Sequence, residues 1–244
     1  MKILRIATYN IHKGVQGLGL QRRLEIHNLG HAVEQFDADI VCLQEVHKLH
    51  RRHEQYFSRW PDLAQAEFLA PEGYEAVYRT NAFTRHGEHG NAMLARWPVI
   101  SHQHEDISDH RFEQRGLLHS EVFVNGIYIH VVVLHLGLIS SSRARQVAQL
   151  ERFIAREIPG DAPLIVAGDF NDWGDRVQMN LATFGLHTWG AGQHRTFPAL
   201  LPVVQFDYVY ARGLEPVGVQ VPRGRIWWRM SDHLPLIAEF RMPS

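Results

Sequence analysis

The sequence predicts an α/β protein built on mixed sheets, and three observations carry that expectation. Short apolar runs recur along the chain and stop abruptly on a polar residue, as Leu164-Ile165-Val166-Ala167 stops at Gly168 and Asp169. Runs of this length bounded by Pro or Gly read as buried strands. Between them lie stretches with apolar residues at helical spacing, notably 22–36 and 140–157. Finally, Asn125-Gly126 joins two apolar runs, a type I′ hairpin signal, and hairpin neighbours make the sheet mixed rather than all-parallel. The two halves each read as a sheet with flanking helices.

In chain order, the strand Ile3–Tyr9 ends in Asn10, and Ile11-His12-Lys13-Gly14 turns away. Leu24, Ile26, Leu29, Ala32, Val33 and Phe36 mark a helix, and Asp37-Ala38-Asp39 turns into the strand Ile40–Leu43. Gln44-Glu45 closes that strand, and a carboxylate placed after four core residues is costly unless it meets a cation. Residues 54–70 read as a helix interrupted by Pro61, Tyr74–Tyr78 as a strand and 81–90 as a polar loop. After Asn91–Arg96 and Val99-Ile100, His102 and His104 alternate as on a strand, although the charged, His-rich segment 101–114 as a whole is expected to be mobile. Leu117–Val124 and Ile127–Leu134 are the hairpin arms, the second closing on His135. Ser140 to Ser142 are placed to cap a helix through about Glu157, stopped by Pro159-Gly160. Beyond the Asp169 strand, Asp175–Phe184 reads as a short helix and 185–205 as loop. Gln205–Tyr210 opens another strand, 211–230 holds Arg223, Arg225 and Arg229 around Trp227-Trp228, and Ser231-Asp232-His233 precedes the last strand, Leu234–Phe240.

Composition bounds the function. No Ser/Gly-rich linker or charge run divides the 244 residues, so a single domain, 1–244, with a sizeable core is expected. A formal net charge of −1 gives no global attraction to polyanions, so a nucleic-acid or phospholipid site has to be a local basic patch. One cysteine, Cys42 in an apolar run, excludes an intramolecular disulfide and thiolate-rich zinc sites. With no signal-peptide or membrane-spanning apolar stretch, a cytoplasmic protein without a transmembrane segment is expected, and no obligate protein partner is evident. Among the 17 histidines, His47, His50 and His53 lack a fixed ligand frame and are expected on the solvated surface.

Asn10, Glu45, His135, Asp169, Asn171, Asp207, Asp232 and His233 all punctuate core strands. If those strands are neighbours, their ends converge on one cleft. Carboxylates and amides are hard oxygen ligands suited to Mg2+ or Mn2+. Such an ion offsets phosphate charge and lowers the pKa of bound water, and histidines supply proton transfer. The residue types point to phosphoester hydrolysis.

The segments Thr8-Tyr9-Asn10-Ile11, Leu43-Gln44-Glu45-Val46, Leu134-His135-Leu136, Ala167-Gly168-Asp169-Phe170-Asn171, Phe206-Asp207-Tyr208-Val209 and Ser231-Asp232-His233-Leu234-Pro235 together resemble the endonuclease/exonuclease/phosphatase superfamily, its small bacterial members above all. The resemblance implies a four-layer α-β-β-α sandwich of two packed sheets with helices outside. It makes Glu45 the principal magnesium ligand, with Asn10 and Asp232 nearby on metal or phosphate. Asp169 would orient or deprotonate the attacking water, and Asn171 would hold it and a phosphate oxygen. His233, paired with Asp207, would contact the phosphate, and His135 would hydrogen-bond the phosphate or protonate the leaving oxygen. Arg115 is a phosphate contact or a plain surface charge. A histidine at 135, where apurinic-site endonucleases typically have tyrosine, resembles the deoxyribonuclease, sphingomyelinase and inositol-phosphatase branches.

The substrate is less defined. Nucleic acid is the leading expectation, with Arg225, Trp227 and Trp228 tracking a backbone and stacking bases. Alternatively the same tryptophans would enter a membrane interface to reach a phospholipid head group, or pack the loop against the sheet. A catalytically silent binding module would be free to lose members of the polar set, which here is complete.

Overall fold

In the computed structural model, which describes residues 2–17, 21–174, 181–189 and 192–243, the apolar runs become strands. They are β1 (Ile3–Asn10), β2 (Val15–Gln16), β3 (Arg23–Leu24), β4 (Ile40–His50), β5 (Glu75–Thr84), β6 (Gly87–Ala95), β7 (Val99–Asp106), β8 (Gly116–Val124), β9 (Ile127–His135), β10 (Leu164–Asp169), β11 (Asp207–Arg212), β12 (Glu215–Gln220) and β13 (Leu236–Arg241). The helices are α1 (Ile26–Phe36), α2 (Arg51–Tyr56), α3 (Gln65–Leu69), α4 (Ser140–Glu157) and α5 (Arg225–Met230).

One sheet has the order β12-β13-β1-β4-β6-β5 and the other β11-β10-β9-β8-β7. Each contains one parallel pair, β1 with β4 and β9 with β10, among antiparallel neighbours. A parallel pair needs a crossover, and α1 and α4 provide the two crossovers. Side chains alternate between faces along a strand, which sorts the core into layers. Leu4, Ile6, Ile40 and Cys42 of the first sheet pack against Val131, Val133, Ile165, Ala167 and Val209 of the second. The opposite faces carry the helices: Tyr9, Val41 and Leu43 meet Leu29, Val33 and Phe36 of α1, and Val132, Leu134 and Val166 meet Leu150, Phe153 and Ile154 of α4. The result is the expected four-layer α-β-β-α arrangement.

Several local expectations are corrected. The single helix over 54–70 is two short helices, because the chain breaks at 57–64 around Pro61. The polar loop 81–90 is instead the tip of the β5–β6 hairpin, whose paired arms run from Glu75 to Ala95. Its side chains are polar because the hairpin projects beyond the core. The segment 101–114 is ordered through Asp106 as the edge strand β7, and polar side chains suit an exposed sheet edge. α4 begins at Ser140 without a side-chain cap; Ser142 Oγ instead donates to Asp109 Oδ2 at 2.7 Å. The 211–230 segment contains β12, and its tryptophans, expected on a loop, lie on the short helix α5. Residues 175–180 of the expected 175–184 helix lie outside the described residues.

Candidate active site

The inward-facing series on each central strand ends in a polar residue. Ile129, Val131 and Val133 lead to His135, Ile165 and Ala167 lead to Asp169, and Leu4 and Ile6 lead through Thr8 to Asn10. Asp169 lies opposite His135 across the β9–β10 ladder and opposite Asp207 across β10–β11. Period-2 alternation and strand register thus set His135, Asp169 and Asp207 in one row at the edge of the inter-sheet core.

Asp169 Oδ2 is the meeting point. Asn10 Nδ2 donates to it across the sheets at 3.1 Å, His135 Nε2 lies at 3.4 Å and His233 Nε2 at 3.5 Å. Asp169 Oδ1 accepts the Asn171 backbone N–H at 3.0 Å, and the Asn171 amide donates to the Leu136 carbonyl at 2.9 Å. His233 Nδ1 bonds Asp207 Oδ2 at 2.8 Å. The hydroxyl of Thr196, which sequence reasoning missed, receives the backbone N–H groups of Phe206 and Asp207 and fixes the start of β11. Gly168 is required beside this row: at φ 153°, a Cβ there would lie 1.9 Å from the Leu134 carbonyl oxygen.

Glu45 reaches the same region by a different device. The β4–β6 register shifts between Leu43 and Val46, and such a bulge re-aims side chains. Glu45 has a positive φ of 56°, as do His12 at 45°, Lys13 at 62° and Asn171 at 48°. Strained backbone of this kind concentrates at functional sites because surrounding packing enforces it. The cation that Glu45 requires is Lys13, whose Nζ lies 3.1 Å from Oε2. Asp232 pairs with His12 at 3.1 Å, and the hydroxyl of Ser231 donates to the Asn10 carbonyl at 2.6 Å. His12 and Lys13 were read only as a turn; their sole sequence signal is that two potential cations directly follow a strand-end asparagine.

The electrostatics follow from burial and these partners. Burial raises Asp169 to about 7, with Asp207 adding to the rise against the opposing pull of His233. Burial would lower His233, but Asp207 and Asp169 outweigh it and hold it at about 10. Burial, reinforced by Arg115, drives His135 well below its ordinary value, so its imidazole is neutral. Burial would also raise Glu45, but Lys13, with His12 beside it, holds it below the usual carboxylate range. His12 is raised chiefly by its hydrogen bond to Asp232.

Of the peripheral residues, Arg115 is no loose surface charge: its guanidinium is mostly buried and bonds the Leu136 carbonyl at 3.3 Å and Glu113 Oε1 at 3.3 Å. Arg225 is exposed and Trp227 and Trp228 are half-buried on α5. Trp227 stacks on Phe36 of α1 with ring centroids 5.9 Å apart, so one face of it is used in packing. The surface expectation for the histidines fails at His47 and His53, which are buried.

Two packed mixed sheets carry this polar cluster at their strand ends. The profile of the Endonuclease/Exonuclease/phosphatase family matches residues 7–233, and the chain belongs to that family, whose members hydrolyse phosphoester bonds as nucleases and phosphatases. It is 36% identical over 246 residues to the uncharacterized protein YbhP of Escherichia coli (strain K12), covering 98% of this chain and 96% of YbhP. Its fold is similar to that of an endonuclease/exonuclease/phosphatase from Beutenbergia cavernae DSM 12333, with a TM-score of 0.78, 21% identity and coverage of 100% of this chain and 72% of the other. It is also similar to the human Nocturnin catalytic domain with bound sulfate anion, with a TM-score of 0.75, 18% identity and coverage of 99% and 94%.

Proposed function

We propose that the chain, as one domain, is a divalent-metal-dependent phosphodiesterase. The observation that carries this reading is the convergence of Asn10, His135 and His233 on one oxygen of a carboxylate that titrates near neutrality. A carboxyl near pH 7 is suited to take a proton from an attacking water. His233, kept cationic by Asp207, is suited to bind a phosphate oxygen. Neutral His135 keeps one N–H to donate to the phosphate or to the leaving oxygen.

Glu45, Asn10 and Asp232 would hold Mg2+ or Mn2+. Their oxygen donors fit a hard cation, and the Glu45 carboxylate, with Lys13 Nζ 3.1 Å from Oε2, is held in its charged form. Such a cation would offset phosphate charge and lower the pKa of a water. The purified protein should hydrolyse a chromogenic phosphodiester only with added Mg2+ or Mn2+; turnover unaffected by a chelator would reject the reading, as would complete inactivity towards every phosphoester offered.

For substrate, the cleft mouth favours an amphiphilic phosphodiester at a lipid surface. Phe112, Leu138, Ile139, Trp173, Leu200 and Leu201 are each more than half exposed, on loops beside the strand ends that carry the site. Exposed apolar side chains on loops around a site suit contact with an apolar surface. Nucleic acid is the second reading, favoured by exposed Arg223, Arg225 and Arg229. Salt separates the two: binding to nucleic acid through arginine falls steeply with ionic strength, whereas apolar insertion into zwitterionic vesicles does not. Among the described residues, no helix is long and apolar enough to cross a membrane.

A further inference from the structure

Beyond Glu45, β4 runs into a pocket of imidazoles that the phosphoesterase reading does not use. His47, His50 and His53 each bring a ring nitrogen within 4.8 Å of the other two. His47 is 2% exposed and His53 8%. His47 Nδ1 donates to the Glu88 carbonyl at 3.0 Å, which leaves Nε2 with a lone pair. That Nε2 is buried without a partner, and so is His53 Nδ1. Buried polar atoms are ordinarily hydrogen-bonded, so two unpartnered nitrogens in one three-residue cluster call for a ligand.

We propose that His47, His50 and His53 form a site for a transition-metal ion of the zinc class, distinct from the catalytic cation. Neutral imidazole suits Zn2+, Ni2+ or Cu2+ and is a poor ligand for Mg2+. The rings of His50 and His53 stack at 3.7 Å between centroids, an arrangement that two cations would resist. The bond from His47 Nδ1 to a backbone carbonyl is the outer-shell contact that orients metal-bound histidines. His50 Nδ1 accepts the His53 backbone N–H at 3.1 Å and caps α2; coordination through that nitrogen exchanges the cap for a metal bond. The fourth position is left to water or to His89, whose ring lies 6.0 Å from that of His47.

The site would brace the cleft from behind. The His47 backbone N–H donates to Gln65 Oε1 at 2.8 Å, and Gln65 Nε2 donates to the Lys13 carbonyl at 2.8 Å. An ion bound at His47 therefore stiffens both the strand that carries Glu45 and the turn that carries Lys13.

The test uses full-length protein without a polyhistidine tag, stripped with chelator and held in excess Mg2+ so that hard-oxygen sites are filled. Titration with Co2+ should give the visible absorption of low-coordinate, nitrogen-ligated cobalt, saturating at one equivalent and displaced by Zn2+. Losing a ligand should weaken binding by at least the roughly 10- to 100-fold typical of outer-shell loss, so His53→Gln and His50→Gln should each show that drop, whereas Glu45→Gln keeps the signal. His50 is only half-buried, so His50→Gln is the variant expected to stay folded, and its melting temperature should no longer rise with Zn2+. No absorption at saturating Co2+, a signal unchanged in His50→Gln and His53→Gln, or one lost in Glu45→Gln would overturn the proposal.

Discussion

Asn10 and Asp169 stand 159 residues apart in sequence and meet across the gap between the two sheets, the amide of one donating to the carboxylate of the other at 3.1 Å. This bond ties the parallel pair of one sheet to the parallel pair of the other at the point where chemistry is proposed. Asp169→Asn keeps the shape and removes the base. It should lower kcat by about 10²–10⁴-fold, the usual loss for a general base, with the folded circular dichroism spectrum retained. A drop of only a few-fold in a steady-state assay would remove Asp169 from that role.

Glu45→Gln tests the proposed metal ligand. The variant should need far more Mg2+ for half-maximal activity, or lose its Mg2+ response altogether, while thermal unfolding of the metal-free protein changes little. An unaltered Mg2+ titration curve would reject the assignment.

The His233–Asp207 pair predicts a pH dependence of stability. A histidine raised in the folded state from 6.5 to about 10 contributes stability that is fully present below 6.5 and is lost as pH climbs through 10. Asp207→Asn removes the partner. The melting-temperature advantage of the wild type over the variant should therefore shrink between pH 6.5 and 10; parallel curves across that window would contradict the pairing.

Gly168→Ala should be among the most damaging small substitutions. Its Cβ would press on the Leu134 carbonyl and spread β9 from β10, a cost of at least about 1–3 kcal/mol by analogy with overpacked cores. Denaturant unfolding measures it, and a midpoint equal to wild type would show that the two strands yield more easily than their pairing implies.

Two tryptophans should behave oppositely. Trp173 is 68% exposed, with an edge contact to Phe206 at 4.9 Å between centroids, so Trp173→Ala should cost little stability and preserve soluble-diester turnover while weakening hydrolysis on vesicles. Trp227 stacks on Phe36, so Trp227→Ala should lower the melting temperature. Equal effects of the two changes on vesicle turnover, with no difference in stability, would remove this distinction.

Much of this site was legible in the chain. A buried strand must satisfy or end before its polar residues, so an apolar run that stops on Asn10, Glu45, His135 or Asp169 announces a strand end with a polar tip. Period-2 alternation then dictates that Asp169 faces the same way as Ile165 and Ala167. The projecting end of the β5–β6 hairpin, 81–90, was not legible, because it carries no apolar alternation; in β7 the alternation of His102 and His104 signalled a strand, while the charges that an edge position permits signalled a mobile segment.

What only the tertiary structure decided is which neighbours each polar group meets. Lys13 reaches Glu45 through positive-φ turns and a register shift, and local propensity disfavours such conformations until packing imposes them. His47 and His53 are polar by residue type, and only the hairpin and α2 closing over them make them buried imidazoles, each with one unpartnered nitrogen. Residue type and spacing determined where polar groups leave the core; long-range packing determined their desolvation and partners, and with them the charge states on which the proposed chemistry depends.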